Sequence, residues 1–151
     1  MIALLQRAAG ARVAVAGESV GAIERGVLAL IGVQRGDTER EAERLAARVL
    51  GYRLFPDAGG RMNRSVADIG GGILLVPQFT LAADTRSGTR PGFSTAADPA
   101  QGRRLFDHLA QLLRERHRLV ATGRFGADMQ VSLVNDGPVT FWLEAPPRPA
   151  S

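Results

Sequence analysis

The 151-residue chain contains no cysteine. That excludes a disulfide framework, a thiolate nucleophile and a Cys-ligated metal, and it fits a reducing cytoplasm. Lysine is also missing: all 19 basic residues are arginine, and the formal net charge is +4. Genomic base composition accounts for the choice of Arg over Lys. Guanidinium groups bind phosphate bidentately, so a nucleic-acid partner is permitted, although a charge this modest does not demand one. Aromatic residues make up only 5%, so the core must be aliphatic. The two histidines, His108 and His117, fall on one expected helix. Their spacing of two and a half turns puts them on opposite faces, and no H-E-x-x-H pattern occurs, so they read as surface residues and no metal is expected. No apolar run approaches the length needed to span a bilayer, the longest being Gly26 to Val33. Met1 to Arg7 has no basic leader and no cleavage site. A soluble cytoplasmic protein is expected.

Familiar catalytic fingerprints are absent too. There is no G-x-S-x-G, and Gly70-Gly71-Gly72 lacks the Lys-Ser/Thr and the helix of a phosphate-binding loop. What is present suits one compact domain: 45% hydrophobic residues and 18 glycines for tight turns. Residues 1–145 are assigned to that domain, and 146–151, rich in Pro, to a disordered tail.

The pattern predicts a Gly-cornered antiparallel meander in the first third. Its strands are Ile2 to Gln6, Arg12 to Ala16 after a turn at Ala9-Gly10, Val20 to Ile23, and the buried run Gly26 to Val33. A helix follows, capped by Asp37 or by Thr38 with Glu41, with Ala42, Leu45, Ala46, Val49 and Leu50 on its apolar face and Gly51 at its end. Arg40, Arg44 and Arg48 form a basic row on it, a solvated face or, more sharply, a phosphate track. Arg53 to Phe55 reads as a short strand, Met62 to Gly72 as loop, Ile73 to Val76 as a buried strand, and Ala82 to Ala97 as a long irregular segment. Asp98-Pro99 starts a second helix reaching about Leu119. The expected fold class is α/β (α+β): a mostly antiparallel, barrel-like sheet with two main helices packed outside.

Two stretches carry the chemistry. In the first, Gln78-Phe79-Thr80 interrupts the end of a core strand. Unpaired N–H groups there can hold a carbonyl oxygen or a developing oxyanion. Thr80 offers a hydroxyl with no evident base beside it, and on spacing alone simple pairing in the sheet is the better account. In the second, Val131 to Val134 and Val139 to Leu143 read as strands flanking Asn135-Asp136-Gly137-Pro138. A hairpin turn is the plain interpretation. A Gly-Pro bond also tolerates the cis isomer, which would aim the carbonyls of Gly137 and Pro138 the same way.

Taken together, Met1 to Arg7, Gln78 to Asp84 and Asn135 to Thr140 resemble bacterial D-aminoacyl-tRNA deacylases, as do Gly51-Tyr52-Arg53 and Arg124 to Met129. The likeness runs from Met1 to about Glu144. It implies a homodimeric editing hydrolase, without a cofactor, that cleaves the ester joining a D-amino acid to the terminal adenosine of tRNA. Some members also remove glycine from mischarged tRNA. The resemblance further implies that the bond Gly137-Pro138 is cis and enters the partner subunit's site, that Arg7 helps hold it, and that Gln78, Phe79 and Thr80 form the other wall. The ribose 2′-hydroxyl of the tRNA would assist the attacking water, in preference to a Thr80 nucleophile. Pro77 departs from the family, which usually has Ser there; it removes a hydroxyl and a backbone N–H. A related group with relaxed chirality has Pro at that place, but with a trans Gly-Pro bond, and Arg7 and Asn135 to Thr140 side with the D-selective group. The competing class is a non-catalytic dimeric RNA-binding module on the same fold.

Overall fold

A computed structural model describes residues 1–149; Ala150 and Ser151, the end of the expected disordered tail, lie outside the described residues. The elements run β1 (Ile2–Val15), β2 (Glu18–Ile23), β3 (Gly26–Gly32), α1 (Glu39–Gly51), β4 (Phe55–Pro56), β5 (Met62–Arg64), α2 (Val66–Ile69), β6 (Gly72–Pro77), α3 (Pro99–Arg116), β7 (Val120–Thr122) and β8 (Gln130–Glu144). The class is mixed α/β in a single domain, with a nearly closed, barrel-like sheet and α1 and α3 packed outside.

β1 organises the sheet. Along one edge it pairs antiparallel with β8 from Ile2↔Glu144 to Ala14↔Gln130. Along the other it pairs antiparallel first with β3, from Ile2 to Ala8, and then with β2, from Ala11 to Val15. β6 and β7 extend the sheet beyond β3 in parallel. The open edges of β2 and β7 then approach each other: a Cβ on Gly21 would stand 2.6 Å from the Thr122 carbonyl oxygen. Glycine is therefore what lets the barrel come close to closing there.

The central strands are apolar throughout because both of their faces are covered. Ile73 and Leu75 on β6, with Val27, Ala29 and Ile31 on β3, join the core shared with the helices. Leu74, Val76 and Leu28 point the other way and fill the barrel interior with Ala8, Ala11 and Val13. Between the first residues of β3 and β6 the backbones nearly touch, since a Cβ on Gly26 would lie 1.9 Å from the Gly72 carbonyl oxygen.

Helix α1 begins with a capping box. Thr38 accepts from the Arg40 N–H, and the Glu41 carboxylate accepts from the Thr38 N–H at 2.8 Å. Asp37, the alternative cap, has another use. It is buried, pairs with the Met1 ammonium at 2.9 Å and accepts from the Gln34 N–H at 2.7 Å. Burial pushes the Asp37 carboxyl up and the Met1 amine down, while their mutual hydrogen bond opposes both shifts.

The structure corrects several expectations. No turn occurs at Ala9-Gly10; β1 runs through it with register shifts opposite Ala8, so glycine here bends a strand. The stretch Val131 to Leu143 is one strand with a bulge, not a hairpin. Met62 to Gly72, expected as loop, holds β5 and the short α2, whose cap Gly70 is left-handed. Helix α3 stops at Arg116, so His117 lies past it, with Nε2 2.6 Å from the Gly71 carbonyl oxygen. The row on α1 lies largely on an exposed face, with Arg40 and Arg48 exposed and Arg44 half-buried. Arg48 donates to the Glu144 carbonyl at 3.0 Å and Arg44 to that of Pro146 at 3.4 Å, so both tie the end of β8 to the helix.

Candidate active site

β6 ends at Pro77, whose ring takes the last place in the parallel ladder opposite Ile31. The chain then turns sharply. The Gln78 N–H still donates to the Ile31 carbonyl at 2.7 Å, but Phe79 to Ala82 coil into a single 3-10 turn. Among the described residues the N–H groups of Phe79 and Thr80 have no hydrogen-bond acceptor, as expected for the first residues of a helical turn. Gln78 Nε2 donates to Thr80 Oγ1, fixing both polar side chains against each other. Phe79 is 59% exposed and packs on the half-exposed Phe93, with ring centroids 5.4 Å apart.

Beside this turn opens a cleft of about 460 Å³ running from Gln78 and Phe79 to Phe106, Phe125, Met129 and Val131. Its walls are largely apolar and it lies between the end of β6 and the start of α3. Among the described residues no histidine or carboxylate hydrogen-bonds to Thr80, so none of them is placed to deprotonate its hydroxyl.

The second part of the site is a bulge in β8. Asn135 pairs with Ala8 and Thr140 with Gln6, so the residues between them have no partners on β1 and swing out of the sheet. The Gly137-Pro138 bond within it is cis, and Gly137 has φ +146. Three interactions hold the bulge. Asn135 Oδ1 accepts from the Val139 N–H at 2.7 Å, and its Nδ2 donates to Thr140 Oγ1 at 3.0 Å. From β1, Arg7 donates through Nε to the Asp136 carbonyl and through Nη1 to the Leu54 carbonyl, each at 2.8 Å. Gly137 and Pro138 themselves stay exposed.

Within the chain these two parts stand apart. Ile2 faces Gly32 beside Gln78, whereas Gln6 and Ala8 bracket the bulge. At roughly 3.3 Å per strand residue that separation is on the order of 15 Å. Arg7, Gly137 and Pro138 therefore come together, as do Gln78, Phe79 and Thr80, but the two groups do not meet in a single chain.

A family model described as D-Tyr-tRNA(Tyr) deacylase matches residues 4–144. The chain belongs to this family. Among its relatives, the D-aminoacyl-tRNA deacylase of Thioalkalivibrio sulfidiphilus is 69% identical, over 97% of this chain and 99% of the relative. That of Halorhodospira halophila is 64% identical, over 99% and 98%. A solved structure titled c-Myc DNA Unwinding Element Binding Protein is 40% identical and superposes with a TM-score of 0.93, covering 97% of this chain and 99% of that one. A probable eukaryotic D-amino acid tRNA deacylase shares the fold, with a TM-score of 0.81 at 17% identity over 95% and 98%.

In this deacylase-family chain, sequence reasoning missed Phe93 and Asn135. Nothing in the spacing of Phe93 signals its contact with Phe79, since the connecting loop sets it. Asn135 reads as a turn residue, and only the bulge shows its side chain bridging the two sides. Phe125 and Met129 were visible as family-like residues without a place; both line the cleft.

Proposed function

We propose that this chain is an aminoacyl-tRNA editing hydrolase that cleaves the ester between a D-amino acid and the terminal adenosine of tRNA. Family membership supports the class. The observation that carries the chemistry is the turn at Gln78 to Thr80: Gln78 and Phe79 line an apolar cleft, the Phe79 and Thr80 N–H groups have no acceptor, and no nucleophile there is paired with a base. Such a site suits a substrate that is already activated. Water attacks the ester carbonyl, and the oxyanion of the tetrahedral intermediate is met by the free amides of Phe79 and Thr80. The ribose 2′-hydroxyl of the tRNA assists the water. Collapse releases the D-amino acid and returns the ribose hydroxyl to the tRNA. One well-aimed oxyanion donor is worth roughly 10²–10³ in rate. The cleft wall at Phe125 and Met129 would receive the adenine ring.

Chirality is read by the bulge. In the proposed homodimer, Gly137-Pro138 of one protomer enters the partner's site, where exposed main-chain oxygens receive the substrate's amino group. An L side chain would then meet backbone, while a D side chain points outward and is not inspected. The exposed edge of β8 supports this arrangement. It leaves Val134 and Trp142 65% and 52% exposed, and an apolar strand edge is a ready surface for a second copy. Glycyl-tRNA, with no side chain to exclude, would be accepted as well. A cytoplasmic location goes with tRNA as substrate.

The test is direct: incubation with D-tyrosyl-tRNA and L-tyrosyl-tRNA should release only the D-amino acid. Persistent ester in the presence of excess protein would favour the second reading, a nucleic-acid-binding module without catalysis. That reading draws on the neighbour whose title names a DNA-element-binding protein. Thr80→Ala should retain turnover; its complete loss with substrate binding intact would restore a threonine nucleophile.

A further inference from the structure

Helix α3 sorts its arginines by face. Arg104 pairs with Glu39 and Arg116 with Glu43, so these two join α3 to α1. Arg103 and Arg114 lie elsewhere. With Asp107 and Gln111 they follow helical spacing along a different face. That face borders a polar cleft of about 410 Å³ whose far side is Thr122 to Phe125. Arg124 closes it from the β7–β8 connection. Among the described residues none of these three arginines forms an ion pair, and the side chains of Arg103 and Arg124 donate to nothing. Arg114 reaches only Thr122 Oγ1, at 3.5 Å. Asp107 is the one carboxylate in the lining, against three guanidiniums.

This cleft adjoins the proposed site. Phe106 and Phe125 line both it and the apolar cleft at Gln78 and Phe79, each ring contributing to the partition between them. An RNA strand whose last base sits on the apolar side has this neighbouring cleft within reach of its preceding phosphates. Unpaired guanidiniums on the other side are the chemistry that receives phosphodiesters. Resting on the deacylase reading, we propose that Arg103, Arg114 and Arg124 bind the phosphates preceding the terminal adenosine. Their contacts are to backbone charge, so they add affinity without reading base sequence.

The experiment compares wild type with the triple variant R103Q/R114Q/R124Q on two substrates. One is D-tyrosyl-tRNA; the other is the D-tyrosyl ester of adenosine, which carries no phosphate. All three positions are exposed, so the variant's thermal midpoint should match wild type. The proposal expects KM for the tRNA substrate to rise on the order of tenfold or more with kcat held. The slope of log affinity against log salt should fall by about 2, at roughly 0.7 per phosphate contact on a single strand. KM for the adenosine ester should not move. Unchanged KM and salt slope on tRNA would overturn it, and so would equal losses on both substrates, which would mean a distorted site. A wild type that hydrolyses neither substrate removes the deacylase reading instead. The arginines are then judged by titrating uncharged tRNA into both proteins, and equal affinity overturns their role. Inorganic phosphate that saturates the cleft without weakening tRNA binding would assign it to a free anion and overturn the RNA assignment.

Discussion

At the scale of single residues, Arg7 is the side chain with most resting on it. It joins β1 to two carbonyls that have no strand partner, those of Asp136 and Leu54. Replacing it with Gln should leave at least one of them unsatisfied, at about 1–3 kcal/mol, measurable as a lower urea midpoint. Deacylation should fall further than stability predicts, because the bulge loses its anchor, and Lys should rescue it poorly since a compact ammonium lacks the planar fork that sets Nε on one carbonyl and Nη1 on the other. Asp84 behaves differently. The Arg86 side chain and backbone N–H draw its carboxyl down from 3.8 to about 2. A depressed carboxylate stabilises the folded loop above its unfolded pKa and loses that effect as pH falls through the folded value. Carbon-detected NMR should place the Asp84 midpoint near 2. In Arg86→Gln the midpoint should move back up toward the ordinary value; an unmoved midpoint would mean that Arg86 is not the cause.

Elements show where local pattern sufficed and where it did not. Helices α1 and α3 were legible because capping and periodicity are local properties: Thr38 with Glu41, and Asp98 with Pro99, mark their starts. The long strands were not. Ala9-Gly10 and Asn135 to Pro138 look like turns, yet β1 and β8 pass through both as one antiparallel ribbon. Turn residues signal a departure from regular pairing, and whether that departure reverses the chain or merely bulges depends on the strand alongside. Glycines divide in the same way. Gly51 ends α1 with nothing within 4 Å of the place a Cβ would occupy, so Gly51→Ala should raise stability by roughly 0.5–1 kcal/mol. Gly26→Ala should instead cost at least the ~1–3 kcal/mol of an overpacked core, since β3 and β6 would have to separate. Thermal and urea unfolding of the two variants should move in opposite directions.

For the whole molecule, two features matter, one joining distant parts of the chain and one facing outward. The buried pair of Met1 ammonium and Asp37 carboxylate, with the Ala145 carbonyl 2.6 Å from the same ammonium, gathers Met1 and the residue after β8 at the start of α1. Asp37→Ala should destabilise by about 3–5 kcal/mol, because an ammonium would remain buried without its counter-charge. The second feature is the exposed edge of β8. If it is the dimer surface, Val134→Glu should yield a folded monomer by sedimentation with deacylation largely lost; a stable, active dimer would place the interface elsewhere.

The sequence by itself determined the fold class and both long helices, and it singled out the two stretches proposed to carry the chemistry. Composition, periodicity and ordered motifs are written along the chain and need no partner to be read. Only the tertiary structure decided that β1 and β8 are single long strands, and that Asn135 and Arg7 pin the bulge between them. It also showed that the strand end at Gln78 and the bulge at Gly137 lie apart in one chain, and that Arg44 and Arg48 hold a chain end while Arg103, Arg114 and Arg124 remain unpaired. Each of these depends on which residues from distant segments come to face one another, a property of packing that neighbouring residues in sequence do not encode.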